Sequence, residues 1–189
     1  MSQKYNTKSN LIKMVLSGLM AALICVSTSV FVVPLITGGY ANLGDCFVII
    51  AGYMLGPIFG GLASGIGSCL ADIFLGYTLY APFTFIIKAS MAIIVYYMSR
   101  IVKNSNFGVR LSFMVVVSFA SECFMVLGYF LLEVFLYGYS GAIVNVFGNS
   151  MQGLFACISA VIVYSVFDKN KIFTFTNKII SNNKTIDNR

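Results

Sequence analysis

Ser64-Gly65-Ile66-Gly67-Ser68-Cys69-Leu70-Ala71-Asp72-Ile73-Phe74-Leu75-Gly76-Tyr77, followed after two residues by Tyr80-Ala81-Pro82-Phe83-Thr84-Phe85-Ile86-Ile87-Lys88, sets an acid and a base inside two adjoining apolar segments. An Asp or Lys at the middle of a bilayer costs about 2.5–3.5 kcal/mol on insertion scales, so such residues face a protein interior or a water-filled cavity. The stretch therefore predicts membrane helices packed around a polar interior.

The rest of the chain agrees. Of its 189 residues, 59% are hydrophobic and 10% charged, which excludes an ordinary soluble domain and places the chain among polytopic membrane proteins. It reads as one six-helix, all-α membrane domain over 1–168 and a basic cytoplasmic tail over 169–189. The first apolar run, Leu11 to Leu35, exceeds the roughly 7–15 residue core of a cleaved signal and reads as a retained helix. Cys25, Cys46, Cys69, Cys123 and Cys157 lie in separate apolar segments, with no C-x-x-C pair and no histidine in the chain. Zinc, haem and redox motifs thus have no support, no metal site is expected, and the cysteines read as small packing residues.

Basic residues fall in three groups: Lys4, Lys8 and Lys13; Arg100, Lys103 and Arg110; Lys169, Lys171, Lys178, Lys184 and Arg189. Their placement marks cytoplasmic ends and contact with anionic lipid, not nucleic-acid binding. A helix crossing about 30 Å of hydrocarbon needs roughly 20 residues. The spans read as 11–35, 43–58, 60–77, 82–100, 110–136 and 141–167, with external connections at 36–42, 78–81 and 137–140. Six spans put both termini and the Arg100–Arg110 connection inside, in accord with the charges. The turn Gly56-Pro57-Ile58-Phe59-Gly60-Gly61 joins the second and third spans as a tight hairpin.

Helical spacing gathers the remaining polar residues. Glu122, Met125, Tyr129 and Glu133 share one side of the fifth span, Asn145, Asn149 and Gln152 one side of the sixth, and Ser64, Ser68 and Asp72 one side of the third. Asp72, Lys88, Tyr129, Glu133, Asn145 and Asn149 fall in the outer half and describe a pocket open to the outside. Glu122 lies deeper, while Tyr40, Asn42, Tyr77 and Tyr80 come from the external connections. Gly38-Gly39-Tyr40-Ala41-Asn42-Leu43-Gly44-Asp45 is suited to fold over the pocket and present an aromatic face. The candidate binding residues are Tyr40, Asn42, Asp72, Tyr80, Lys88, Glu122, Tyr129, Glu133, Asn145 and Asn149. Purely structural alternatives stand beside this: a buried Asp72–Lys88 ion pair, Glu122 as a packing residue held by hydroxyls such as Ser118, and the amide stripe as interhelical glue.

Gly44-Asp45, the Gly56–Gly61 turn, Ala71-Asp72-Ile73-Phe74-Leu75-Gly76-Tyr77 and Tyr80-Ala81-Pro82-x-Thr84-Phe85-Ile86-Ile87-Lys88 together resemble the S components of energy-coupling factor (ECF) vitamin transporters. The resemblance is to the riboflavin, pyridoxine and hydroxymethylpyrimidine branch. It implies a six-helix subunit of the bacterial cell membrane that captures a vitamin outside. Such a subunit associates with a transmembrane coupling subunit and two ATPases, and delivers the vitamin by tilting in the bilayer. It also implies a coupling-subunit contact through small residues of the first helix, here Ser17-x3-Ala21 and Gly18-x3-Ala22. With no G-x4-G-K-[ST] loop in this chain, ATP is expected to be used by the partner subunits and no cofactor to be bound here.

One cation against Asp72 and up to two glutamates disfavours a polyanionic ligand and favours a small neutral or cationic heteroaromatic. A pyridoxine- or hydroxymethylpyrimidine-like vitamin is the first expectation and riboflavin the alternative. Two rivals of other classes are a self-sufficient secondary transporter with Asp72, Glu122 or Glu133 as proton site, and a membrane-embedded enzyme. The first would show an inverted repeat, which is not evident. The second would need a nucleophile beside a base, or a metal cluster, and the chain offers neither.

Overall fold

The structure, a computed structural model, describes residues 4–36 and 39–182. Gly38 of the connecting loop and Lys184 and Arg189 of the tail lie outside the described residues. In chain order the elements are α1 (Lys4–Val30), β1 (Val32–Pro34), β2 (Tyr40–Asn42), α2 (Asp45–Leu75), α3 (Ala81–Arg100), α4 (Phe107–Lys169) and α5 (Ile172–Asn182). α1 through residues Asn10–Val30, and α2, α3 and α4, are long and apolar enough to cross a membrane. The chain is an all-α membrane protein with one small two-stranded addition.

Two of these helices are folded back on themselves. Gly56 (φ 89, ψ −179) interrupts α2 and Gly138 (φ 75, ψ 170) interrupts α4. This backbone region is essentially closed to residues with a Cβ, and Pro57 removes the next amide donor as well. The reversal is plain in the packing: a Cβ on Gly60 would meet the Ala51 carbonyl oxygen at 2.6 Å, whereas nine residues along a straight helix span about 14 Å. In α4, Arg110 near the start and Asp168 near the end form an ion pair at 2.6 Å. With α2 and α4 each a helical hairpin, the elements α1 to α4 comprise six helical segments.

Three boundaries differ from the sequence reading. The expected 11–35 span ends at Val30, because Val32 and Val33, both β-branched, pair antiparallel with Asn42 and Ala41, and Pro34 closes the strand opposite Tyr40. The expected 43–58 span is a helix only over residues 45–55, about 16 Å long and too short for the hydrocarbon thickness. It is nonetheless the most enclosed part of the fold, with Val48, Ile49, Ile50 and Ala51 buried between its neighbours. Finally, the region read as a tail contains α5. Phe173 docks it, 4.7 Å from the Tyr53 ring and 5.4 Å from that of Tyr164.

At the end nearer β1 and β2, α2 stops in a left-handed Gly76 (φ 85), whose N–H bonds Ile73 O while the Tyr77 N–H bonds Asp72 O at 2.8 Å. This glycine-terminated cap fixes Asp72 one turn below Tyr77. α3 then begins at once, with Pro82 in its first turn.

The small face of α1 is divided by packing. Ala21 lies against α2, where a Cβ on Gly67 would come within 2.5 Å of the Ala21 carbonyl oxygen, while Ala22 and Gly18 point away, Gly18 into open space. Ser17 is half-buried on the packed side.

Candidate ligand-binding site

Asp72, on the last turn but one of α2, is held under β2 by the Tyr40 hydroxyl, which donates to Oδ1 at 2.6 Å. Ser68 and Ser64 continue the same buried stripe one and two turns below, as their spacing predicts. Burial first, and then the neighbouring Asp72 carboxylate, push the Tyr40 phenol above its ordinary range, so it is a donor at neutral pH. Tyr40 stacks at 4.8 Å on Tyr77, which meets Tyr80 edge-on at 6.3 Å, and Tyr80 lies 6.5 Å from Tyr129. These four rings form a run from the strand cap into the bundle. Along it Tyr80 donates to Glu133 Oε1 at 3.4 Å, and the Thr84 and Tyr129 hydroxyls bond at 3.1 Å.

Lys88, one of the largest fully buried side chains, does not pair with Asp72. Its ammonium donates to Asp45 Oδ1 at 2.5 Å and lies 5.3 Å from the centre of the Tyr129 ring. The Asp72–Lys88 ion pair, a structural alternative read from the sequence, is thus not formed, and the cause is the short first half of α2. That segment starts deep in the protein, so its first residue, Asp45, reaches the level of Lys88 on α3. The second Asp45 oxygen accepts from Gln152 Nε2. Gln152 Oε1 in turn accepts from the Asn42 N–H at 3.0 Å, and Asn42 Oδ1 accepts from the Gly44 N–H at 2.8 Å. A continuous chain of hydrogen bonds therefore runs from β2 to the buried ion pair.

Eight of the ten residues read from sequence border one cavity of about 20 Å³: Tyr40, Asn42, Asp72, Tyr80, Lys88, Tyr129, Glu133 and Asn149. A space of that size holds about one water, so the site is closed over itself by the β1–β2 cap. Asn145 stands behind the wall, hydrogen-bonded to Glu133. Glu122 is elsewhere. It is buried on the expected stripe with Met125 and Glu133, yet it borders a separate apolar groove of about 500 Å³ between the two halves of α4. Both its oxygens are without hydrogen-bond partners among the described residues. Eleven residues are about three helical turns, which keeps Glu122 on the side of Glu133 but sets it about 16 Å away along the helix, beyond the cavity that Glu133 lines.

Sequence reasoning missed Asp45, Thr28 and Thr84 as residues of the site. Asp45 carried a signal in being an acid at the start of an apolar run, the usual place for a helix-opening carboxylate. Thr28 carried none, since a threonine late in an apolar helix is ordinary. Among the described residues no cluster of His, Cys, Asp and Glu is placed to hold a metal ion.

Comparison with known proteins adds an independent line. The sequence model of the family described as "ECF-type riboflavin transporter, S component" matches residues 8–169. A protein of Pyrococcus woesei, described only as an uncharacterized protein in gap 3′region, is 35% identical over 116 residues, covering 61% of this chain and 74% of the relative. The family is one of transporter substrate-binding subunits and not of enzymes, and its members work with a coupling subunit and ATPases. With a family match across nearly all of the described membrane helices, the chain belongs to the S components of ECF transporters, the multi-pass membrane subunits that bind a vitamin for import.

Proposed function

We propose that this subunit captures riboflavin from outside the cell at the tyrosine-lined cavity beneath β1 and β2. The observation that carries the reading is the meeting of four tyrosine rings with two buried carboxylates, Asp72 and Glu133, at one end of the bundle. Rings supply faces for a planar heteroaromatic, and the carboxylates accept from hydroxyl and N–H donors. Riboflavin takes first place on the description of the matched family. A pyridoxine- or hydroxymethylpyrimidine-like vitamin is the second reading, supported by the small size of the closed cavity.

The six helical segments are six passes with both termini cytoplasmic, a reading supported by the basic residues near Arg100–Arg110 and after Asp168. The outward pair Gly18 and Ala22 on α1 meets the coupling subunit, supported by the open space beside Gly18. Ser17 and Ala21 serve packing against α2. ATP is hydrolysed by the partner ATPases, and the assembly resides in a bacterial cell membrane.

The test is equilibrium binding to the full chain in lipid nanodiscs, with riboflavin, pyridoxine and hydroxymethylpyrimidine as probes. Saturable riboflavin binding that the other two do not displace supports the first reading. Binding of pyridoxine or hydroxymethylpyrimidine alone transfers the site to the second, and absence of binding by all three overturns the assignment.

A further inference from the structure

The groove between the two halves of α4 stands apart from the tyrosine-lined cavity and has the make-up of a ligand site: about 500 Å³, apolar walls and a buried carboxyl group. That carboxyl is Glu122. It sits about 18 Å along its helix from Arg110 and about 24 Å from the break at Gly138, well inside the apolar stretch. Its side chain is buried, and both oxygens lack a hydrogen-bond partner among the described residues. Packing does not account for it, because the Ser118 and Ser121 hydroxyls are unpartnered too and Lys88 is bound to Asp45. Gly153 leaves the carboxyl its room: a Cβ there would lie 3.1 Å from Glu122 Cβ and 3.4 Å from Oε2. Phe119, Leu127, Ile143 and Leu154 of the groove are exposed, so it opens toward the bilayer.

We propose that this groove is a second ligand site, entered from the bilayer, that takes a lipophilic primary amine with its ammonium on Glu122 and its hydrocarbon along the apolar walls. The head group has to serve two empty oxygens, and no Lys or Arg lines the groove among the described residues. An alcohol brings one donor and leaves the carboxylate charge uncompensated. An ammonium brings three donors and cancels that charge, which removes the cost of a lone carboxylate at this depth. A fatty acid or a lipid phosphate carries the wrong sign.

The test uses the full chain in lipid nanodiscs and a dodecylamine carrying a photoreactive diazirine in its chain, with cross-links mapped by peptide mass spectrometry. Cross-links are expected to gather on the groove residues and to be displaced by excess dodecylamine, but not by dodecanol or lauric acid. They should fall by about tenfold or more in Glu122→Gln, the weight of one charge-assisted hydrogen bond. Val146→Phe, which fills the groove without altering the carboxyl, should lower them as well. Cross-links spread evenly over the lipid-facing surface, or unchanged by Glu122→Gln, overturn the site. Displacement by dodecanol or lauric acid as effective as by dodecylamine overturns the amine head group. Should Glu122→Gln fail to fold, the wild-type competition series and Val146→Phe decide: loss of groove labelling in Val146→Phe supports the site, and unchanged labelling overturns it.

Discussion

Lys88 on α3 and Asp45 at the start of α2, 43 residues apart in sequence, form a salt bridge of 2.5 Å with both side chains almost wholly buried. Removing one partner of such a pair costs about 3–5 kcal/mol, because the other is left as an uncompensated buried charge. Lys88→Met alone is therefore expected to lower the melting temperature and folded yield in detergent. Lys88→Met combined with Asp45→Leu should recover most of the loss. A double variant no more stable than the single one contradicts the pairing.

Tyr40→Phe removes the donor to Asp72 without changing the ring stack on Tyr77. A hydrogen bond to a charged group contributes about 1.5–3 kcal/mol, so vitamin affinity should fall by about tenfold or more with insertion into the membrane unchanged. Titration of the purified variant with the bound vitamin measures this, and unaltered affinity would show that Tyr40 does not organise the site.

Gly56→Ala and Gly138→Ala force a Cβ into a backbone region reserved for glycine, at about 1–3 kcal/mol each. Gly18→Ala, on a regular helix with nothing near the new methyl, is the control and should match the wild type or exceed it slightly. Thermal unfolding of the three variants under one detergent condition decides the matter.

The two alanines of α1 should separate. Ala22→Leu, on the outward face, is expected to abolish uptake by the assembled transporter while leaving vitamin affinity of the isolated subunit intact. Ala21→Leu crowds the contact with Gly67, and overpacking of this kind costs about 1–3 kcal/mol, so it should lower stability first. Normal uptake by the Ala22 variant would remove this face from the coupling contact.

Much of this site was legible in the sequence because its residues obey helical periodicity over long apolar runs. Tyr129 and Glu133, or Ser68 and Asp72, share a face whatever the neighbouring helices do. What periodicity cannot supply is the depth at which one helix starts relative to the next. The depth of Asp45 is therefore not legible, and Asp72 stands as the alternative partner for Lys88 in place of Asp45. Glu122 illustrates the other limit. Its stripe was right, but eleven residues rise about 16 Å along the helix, so the two ends of the stripe line different spaces. The β1–β2 pair escaped for a third reason: Val32 and Val33 continue an apolar run, and hydropathy does not distinguish a helix end from a short strand.

The eleven helical residues before Gly56 are too few to hold a membrane-crossing position by themselves. During biogenesis this piece must therefore leave the translocation machinery together with the longer helix that follows Pro57, as one hairpin. Its stay in the membrane then depends on the later arrival of α3, against which Gly52 packs at Ala92. A ribosome-bound chain that ends before α3 emerges should hold this hairpin loosely, with Asp45 still within reach of water.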